Sequence, residues 1–502
     1  MIVNVLDSIT ILWVVACCVV VYVLSHAIYR LYFSPLARFP GPKLAAITRW
    51  YEFYYEVILG GRYIFKIREL HEKYGKLAFQ TLHVSDPEFY DTLFSHSGRR
   101  EKYEWIRVRF GNADAISNTT SHELHRIRRS PLQSMFSKQQ IIKFEPYIQE
   151  KVDVFHRILR EYEMVGTVLA LDRAAAAFTG DIMSEFAFAK SFNTLESKDF
   201  SESLHDAIMA SVRSAHVLPQ FQWLMPLLNR LPSNVVAMLQ PNLAQLFHVG
   251  KVNKSSSNIP KETKNEAYKT ANHPTIFRRL LDSDLPESEK RPHRIAQEAK
   301  SLIGAGIATS AWTICVGCVH ILSNPQIEQK LRSELRQAIP LSSESRSWVE
   351  LERLPYFKGC IYESIRLSYG VVSRLQRIAP DETLHYKQWA IPPGTPVSQS
   401  HFIVNHDETI FPDSHSFRPE RWMEGGVKME KYLLSFSKGT RICLGINLAY
   451  AELFKIMAFL FRCVEMRLYE TDLTDIECKH DFFIPVAKKD SKGVRIEILK
   501  VE

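Results

Sequence analysis

The sequence predicts a mostly α protein: one large helical body with small β-sheets, preceded by an amino-terminal transmembrane helix. Three observations carry this. Residues 9–29 form an apolar stretch that no charge interrupts, and about 20 such residues span a bilayer core. Residues 149–162, 295–322, 326–339 and 447–466 place apolar side chains at spacings of three and four, the period of a helix with one buried face. Strand-like runs are few and short, at 77–83, 388–391 and 494–499. Helices throughout, with sheets mostly near the ends, describe one large domain.

Composition agrees. A chain of 502 residues is long enough to bury a large core. With 46% hydrophobic and 24% charged residues it is neither disordered nor fibrous. Its net charge of +8 suits an anionic membrane surface or an acidic partner, and equally a plain solvated surface. There is no zinc-finger spacing and no long Lys/Arg run, which speaks against a nucleic-acid partner. Eight cysteines are too sparse for a disulfide framework. Cys315 and Cys318 have CxxC spacing, but no second pair follows; they read as buried helix cysteines.

At the amino terminus, a cleaved signal peptide would have a basic start and a shorter apolar stretch. Here Asp7 precedes the segment, and Arg30, Arg38 and Lys43 follow it. Positive charge stays cytosolic, so the body should face the cytosol. Phe39-Pro40-Gly41-Pro42 reads as a stiff, non-helical hinge. The expected organisation is an anchor at 1–30, a Pro-rich hinge at 31–45 and one large domain at 46–502. Residues 250–273, polar and lysine-rich, read as a surface loop.

The most informative stretch runs from Phe436 to Gly445, ahead of a long amphipathic helix. Cys443 therefore sits near a helix amino terminus, where the dipole favours thiolate, the form that binds metal. Gly439 permits a turn with positive φ, and Gly445 permits close approach of backbone to a flat ligand. Arg441 is placed to pair with a carboxylate on that ligand, and Phe436 to shield the sulfur from water.

This segment matches the cytochrome P450 signature FxxGxRxCxG at all five fixed positions, a chance of the order of one in a million per start site. The chain thus resembles that family, from the anchor to nearly the carboxyl terminus. The resemblance implies the P450 fold, with haem b bound through Cys443 and a haem propionate on Arg441; a thiolate ligand favours O–O cleavage. Glu363-Ser364-Ile365-Arg366 is an ExxR, whose spacing places both charges on one helix face. Phe417-Arg418-Pro419-Glu420-Arg421-Trp422 resembles the family's PERF segment, with Trp in place of Phe. By resemblance, Glu363, Arg366 and Arg421 form a buried structural ion network behind the cysteine loop. His125 and Arg129 resemble the WxxxR helix, with His replacing Trp; Arg129 is a second propionate candidate and Arg377 a third. Residues 304–310 resemble the family's distal oxygen-site helix. Ala305 and Gly306 supply its small residues, and Thr309 the hydroxyl that relays protons. Ala308 departs from the pattern, standing where an acidic residue usually helps deliver protons.

The implied activity is insertion of one oxygen atom from O2 into an apolar small molecule. Electrons would come from NADPH through NADPH–cytochrome P450 reductase, at the endoplasmic reticulum membrane. Residues 275–286, 373–377 and 480–485 resemble filamentous-fungal microsomal members, many of which act in secondary metabolism on terpenoids, polyketides or alkaloids. Two alternatives stand beside this: a haem-thiolate rearrangement catalyst or peroxygenase that needs no reductase, and, remotely, a non-enzymatic haem-binding protein. The expected substrate lining is residues 103–118, the distal helix, Val371-Val372-Ser373 and Phe482-Phe483. Lys438 and Arg128 are candidate charges for docking the reductase. Asn118 and Asn253 head glycosylation sequons, which a cytosolic body leaves unmodified.

Overall fold

The computed structural model describes residues 2–78, 81–213, 215–224, 273–341 and 344–502. Of the polar loop at 250–273 only His273 lies among them, and the Asn253 sequon lies outside. Helix α1 (Ile2–Ile28) continues through a turn at Tyr29–Phe33. Its stretch Thr10–Phe33 has a mean hydropathy of 2.5, is long enough to cross a membrane, and is not buried by the body. The hinge differs from expectation. Phe39 is buried, 5.0 Å from the Trp389 ring, so part of it is docked on the body. Pro42 then caps a short helix, Lys43–Ile47.

Seven further helices position the site: α2 (His122–Gln133), α3 (Lys138–Val165), α4 (Leu171–Phe188), α5 (Pro292–Leu322), α6 (Pro325–Ala338), α7 (Pro355–Ser368) and α8 (Ile446–Cys463). α5 passes the length and hydropathy test for a membrane span, but its apolar window is 61% buried, so it is the central core helix. It packs on α4, α7 and α8. Cys315 and Cys318 lie buried on it as free thiols, as expected. α8 stops short of the expected 466, because Val464–Leu468 turns into a strand, β9.

The strands are short, and they cluster by pairing. β1 (Leu77–Ala78), β2 (Leu82–Val84), β3 (Glu101–Lys102), β5 (Leu375–Ile378) and β8 (Pro396–Gln399) form a sheet ordered β1-β2-β8-β5-β3. The run expected at 77–83 is thus two antiparallel strands, with Leu77 opposite Val84. β4 (Val168–Ala170), β12 (Arg495–Val501) and β9 form a second sheet. Two hairpins complete the set: β6 (Leu384–Tyr386) with β7 (Trp389–Ile391), and β10 (His480–Phe482) with β11 (Ile484–Val486). The first sheet matters most here: β3 and β5 carry Lys102 and Arg377 side by side.

Candidate active site

The loop ahead of α8 is tightly curled. Gly439 has φ +71°, and a Cβ there would lie 2.1 Å from the Phe94 carbonyl oxygen, so only glycine fits. The Cys443 N–H donates to the Phe436 carbonyl at 2.9 Å and closes the loop. The Phe436 ring packs on Tyr450 at 5.3 Å. Gly445 caps α8, so Cys443 lies just ahead of a helix amino terminus, as its spacing predicts. Cys443 lines a cavity and is exposed to it. Burial pushes the thiol above its ordinary value, although the Gly445 N–H and Arg129 pull the other way. A cation on the cavity side would tip it to thiolate.

That cavity measures about 1410 Å³, above the roughly 300–1,000 Å³ of an ordinary ligand pocket. Cys443, Phe436, Gly445, Arg441, Arg129, Arg377 and His125 all line it. So does Lys102, which the sequence did not single out. Arg441 donates to the carbonyls of Thr119, Thr120 and Ser121 at 2.6, 3.0 and 3.0 Å, while its Nε is buried without a partner. Arg129 donates to the Ile442 carbonyl at 2.9 Å and so ties α2 to the cysteine loop. Arg377 donates to the Gln376 carbonyl at 2.9 Å and lies over the Phe94 ring. Lys102 donates to the Ser117 carbonyl. Among the described residues, no carboxylate forms an ion pair with any of these four cations.

The consequences are electrostatic. Burial, then Arg377 and Arg129, push Arg441 down to about 9. Burial pushes Arg377 down to about 10. Burial, then Arg377 and Arg441, hold Lys102 well below its usual range. His125 is driven down to about 2 by burial and by Arg441 and Lys102, so its ring is neutral. Buried cations without counter-ions are costly. A dianionic ligand at this spot would remove that cost.

Across the cavity, α5 presents Ala305, Gly306, Ala308 and Thr309. The Thr309 hydroxyl donates to the Ala305 carbonyl at 2.8 Å. Gly306 is small for a reason the motif did not give: a Cβ there would lie 2.9 Å from Met183 Cγ on α4. Its backbone lines the cavity while its bare side lets two helices touch. Ala308 leaves no carboxylate on that turn, but α8 supplies one nearby. Glu452 lines the cavity, is buried, and hydrogen-bonds to Ser310; its Oε1 has no partner. Burial pushes its carboxyl up to about 8, so it is neutral at neutral pH.

Behind the cysteine loop, Glu363 and Arg366 on α7 have no exposure at all. Arg366 donates to both Glu363 oxygens, at 2.9 and 2.7 Å, and to the carbonyls of Asn405 and Ser414 at 2.8 and 2.7 Å. Arg421 Nε and the Arg418 N–H each reach Glu363 at 3.0 Å. Trp422, the departure from PERF, adds an indole N–H to Glu363 at 2.9 Å. Burial raises the Glu363 carboxyl, but Arg366 and Arg421 outweigh it and hold it below its ordinary value.

The expected substrate lining holds in part. Ile106, Arg109, Phe110, Val371 and Phe483 face the cavity. Val372 instead joins a separate core cluster, Ser373 bonds Asp481 at 2.5 Å, and the Phe482 ring stacks with His480. Ile208 and Val212, on the helix Glu202–Arg213, join the lining unforeseen. The docking charges need correction. Arg128 is buried and paired with Glu289 at 2.6 Å, which removes it from the surface, whereas Lys438 stays at the surface in a pair with the exposed Asp91 at 2.7 Å. The half-buried Asn118 amide donates to the Asn112 side chain at 2.7 Å.

The comparisons with known proteins agree with this geometry. The cytochrome P450 family profile matches residues 48–491. A cytochrome P450 monooxygenase, sdnE, from Sordaria araneosa is 42% identical, covering 98% of this chain and 99% of its own. Another, tpcC, from Cochliobolus heterostrophus is 41% identical over 94% of each chain. The tryptophan 6-hydroxylase fscE of Fusarium equiseti is 38% identical over 96% of each. The chain belongs to the cytochrome P450 family of haem-dependent monooxygenases. Its residues fit that cofactor: a soft donor, a cluster of unpaired cations for two carboxylates, and a cavity larger than a substrate alone requires.

Proposed function

We propose that this monooxygenase holds haem b through the Cys443 thiolate and inserts one oxygen atom of O2 into an apolar small molecule. The observation that carries the reading is the convergence on one cavity of an accessible thiol, four unpaired cations and the Thr309 hydroxyl. Arg441, Arg129 and Arg377, with Lys102, would hold the haem propionates beside the neutral His125. Gly439 fixes the loop, Phe436 and Gly445 shape its cavity side, and Ala305 and Gly306 keep the distal wall low. Glu363, Arg366 and Arg421 brace the loop from behind.

Haem held there supplies reductive activation of dioxygen, with thiolate electron density favouring O–O cleavage. The residues around it manage protons. Thr309 Oγ1 gives its hydrogen to the Ala305 carbonyl, which leaves its lone pairs free to accept from water. Rotation of that hydroxyl passes a proton toward the cavity. Glu452, protonated at neutral pH and linked through Ser310, is a second proton holder and stands in for the carboxylate missing at 308. The reductase-free reading rested on Ala308, and Glu452 takes that support away.

Electrons would come from NADPH through NADPH–cytochrome P450 reductase. The organisation is an anchor at 1–30 in the endoplasmic reticulum membrane, a linker at 31–45 and a cytosolic body at 46–502. Removing residues 1–33 should move the protein from the membrane to the soluble fraction. The relatives are fungal and match end to end, and one is named for hydroxylating an indole amino acid. Both points support a substrate from fungal secondary metabolism, a terpenoid, polyketide or alkaloid. Disrupting the gene should cause that precursor to accumulate. Incubated with enzyme, reductase, NADPH and labelled dioxygen, the precursor should gain one labelled oxygen. Turnover without NADPH and reductase would contradict the reading.

A further inference from the structure

Arg109 is buried at 7% exposure and lines the cavity, yet its guanidinium makes no hydrogen bond or ion pair among the described residues. Its Nε is fully enclosed without a partner. The guanidinium lies 5.3 Å from the centre of the Phe483 ring, and Phe483 packs edge-on to Phe110 at 5.0 Å. The two rings set the fork beside the apolar lining that Ile106, Ile208 and Val212 complete.

Arg109 lies at the margin of the propionate-type cluster, close enough to act on Lys102, but it looks the other way. The charges that act on it most are Asp481, Glu56, Glu52 and Arg374, not Arg441, Arg377 or Arg129. None of the three carboxylates is within ion-pair reach, and Asp481 is already committed. It accepts from Ser373 Oγ at 2.5 Å and the Phe483 N–H at 2.9 Å, and its main-chain carbonyl accepts from His216 at 2.6 Å. A second cation stands close by. Lys300 of α5 lines the same cavity and gives one hydrogen to the carbonyl of Phe110, the residue after Arg109, at 3.0 Å. An ammonium has two more to give.

A planar guanidinium that is desolvated, unpaired and aimed into a ligand cavity matches a carboxylate with two parallel hydrogen bonds. We propose that the substrate is an apolar acid whose carboxylate is bound by Arg109, with Lys300 beside it, so that its apolar body lies along Phe110, Phe483 and Val212. This rests on the monooxygenase reading above and narrows its substrate class.

The test is binding, not turnover. Haem-loaded enzyme is titrated by calorimetry with dodecanoic acid, 1-naphthylacetic acid and the methyl ester of each. The wild type should bind the acids at least about tenfold more tightly than the esters, a difference of about 1.4 kcal/mol. Arg109→Gln should bring the acids down to the ester level, and Arg109→Lys should restore part of the preference. Equal binding of acid and ester, no acid binding at millimolar concentration, or an acid preference that survives Arg109→Gln would overturn the proposal. Loss of haem in Arg109→Gln, with acid preference intact in what remains loaded, would do so too, assigning Arg109 to the cofactor. If Arg109→Gln does not fold, the acid–ester comparison in the wild type and in Arg109→Lys still decides. The spectrum of the carbon monoxide complex is read separately, so failure of the haem-thiolate reading is distinguishable from failure of this one.

Discussion

At Glu363 every buried charge has a partner. Five N–H donors from four residues converge on one carboxylate, and Arg366 spends its remaining hydrogens on backbone carbonyls. At Arg441, on the other side of the cysteine loop, four cations and a neutral histidine gather with no carboxylate among them. Arg441, Arg377 and His125 are as buried as the Glu363 cluster, and Lys102 and Arg129 are half-buried on the cavity wall. A paired cluster is finished when the chain folds, so it serves the fold. An unpaired one costs free energy until something binds, so it serves a ligand. The contrast separates structural from functional charge without reference to motif.

The largest test of that contrast is Glu363→Ala. It strands two buried guanidinium groups and should destabilise the protein by about 3–5 kcal/mol; urea unfolding measures it, and an effect below 1 kcal/mol, to order of magnitude, would sink the structural assignment. Lys102→Met should behave in the opposite way. The apoprotein should be at least as stable as wild type, because a desolvated cation has gone, while haem affinity falls about tenfold. Haem transfer to a scavenger protein reads the second effect. A Lys102→Met apoprotein that unfolds early would place Lys102 with the structural group.

A smaller loss is expected from Trp422→Phe, which restores the family's usual residue and removes one hydrogen bond to a buried carboxylate. The cost should be about 1.5–3 kcal/mol, with cofactor binding unchanged. The mildest test concerns pH. The Glu452 carboxyl rises in the fold from 4.5 to about 8, so the folded state binds the proton more tightly than the unfolded chain. Its contribution to stability is complete below about 4.5 and is lost as pH rises toward about 8. Glu452→Gln should flatten that part of the stability–pH curve, leaving the slope from Glu56, also raised to about 8. An unchanged slope in thermal melts would show that Glu452 ionises freely.

Much of this was legible in the sequence because it is local. The cysteine loop, the ExxR and the Thr309 turn each lie within about one or two helical turns, so spacing alone places their side chains. What spacing does not carry is burial. Arg128 reads as a surface charge, yet it is buried and paired with Glu289, remote in sequence. Lys102, Arg109 and Glu452 look like ordinary charged residues in a chain that is 24% charged. They gain meaning only when β3, the loop after it and α8 turn them into the same cavity. The run at 77–83 failed differently: period-two alternation does not reveal a reversal of direction between Leu77–Ala78 and Leu82–Val84.

The account stands on Cys443 as the iron ligand, and the carbon monoxide difference spectrum of the reduced, haem-loaded protein tests it most directly. Wild type should show the absorbance characteristic of thiolate-ligated haem, and Cys443→Ser should lose it while Glu363 and its partners keep the body folded. A histidine-type spectrum from folded wild type, or a thiolate spectrum that survives Cys443→Ser, would contradict the account.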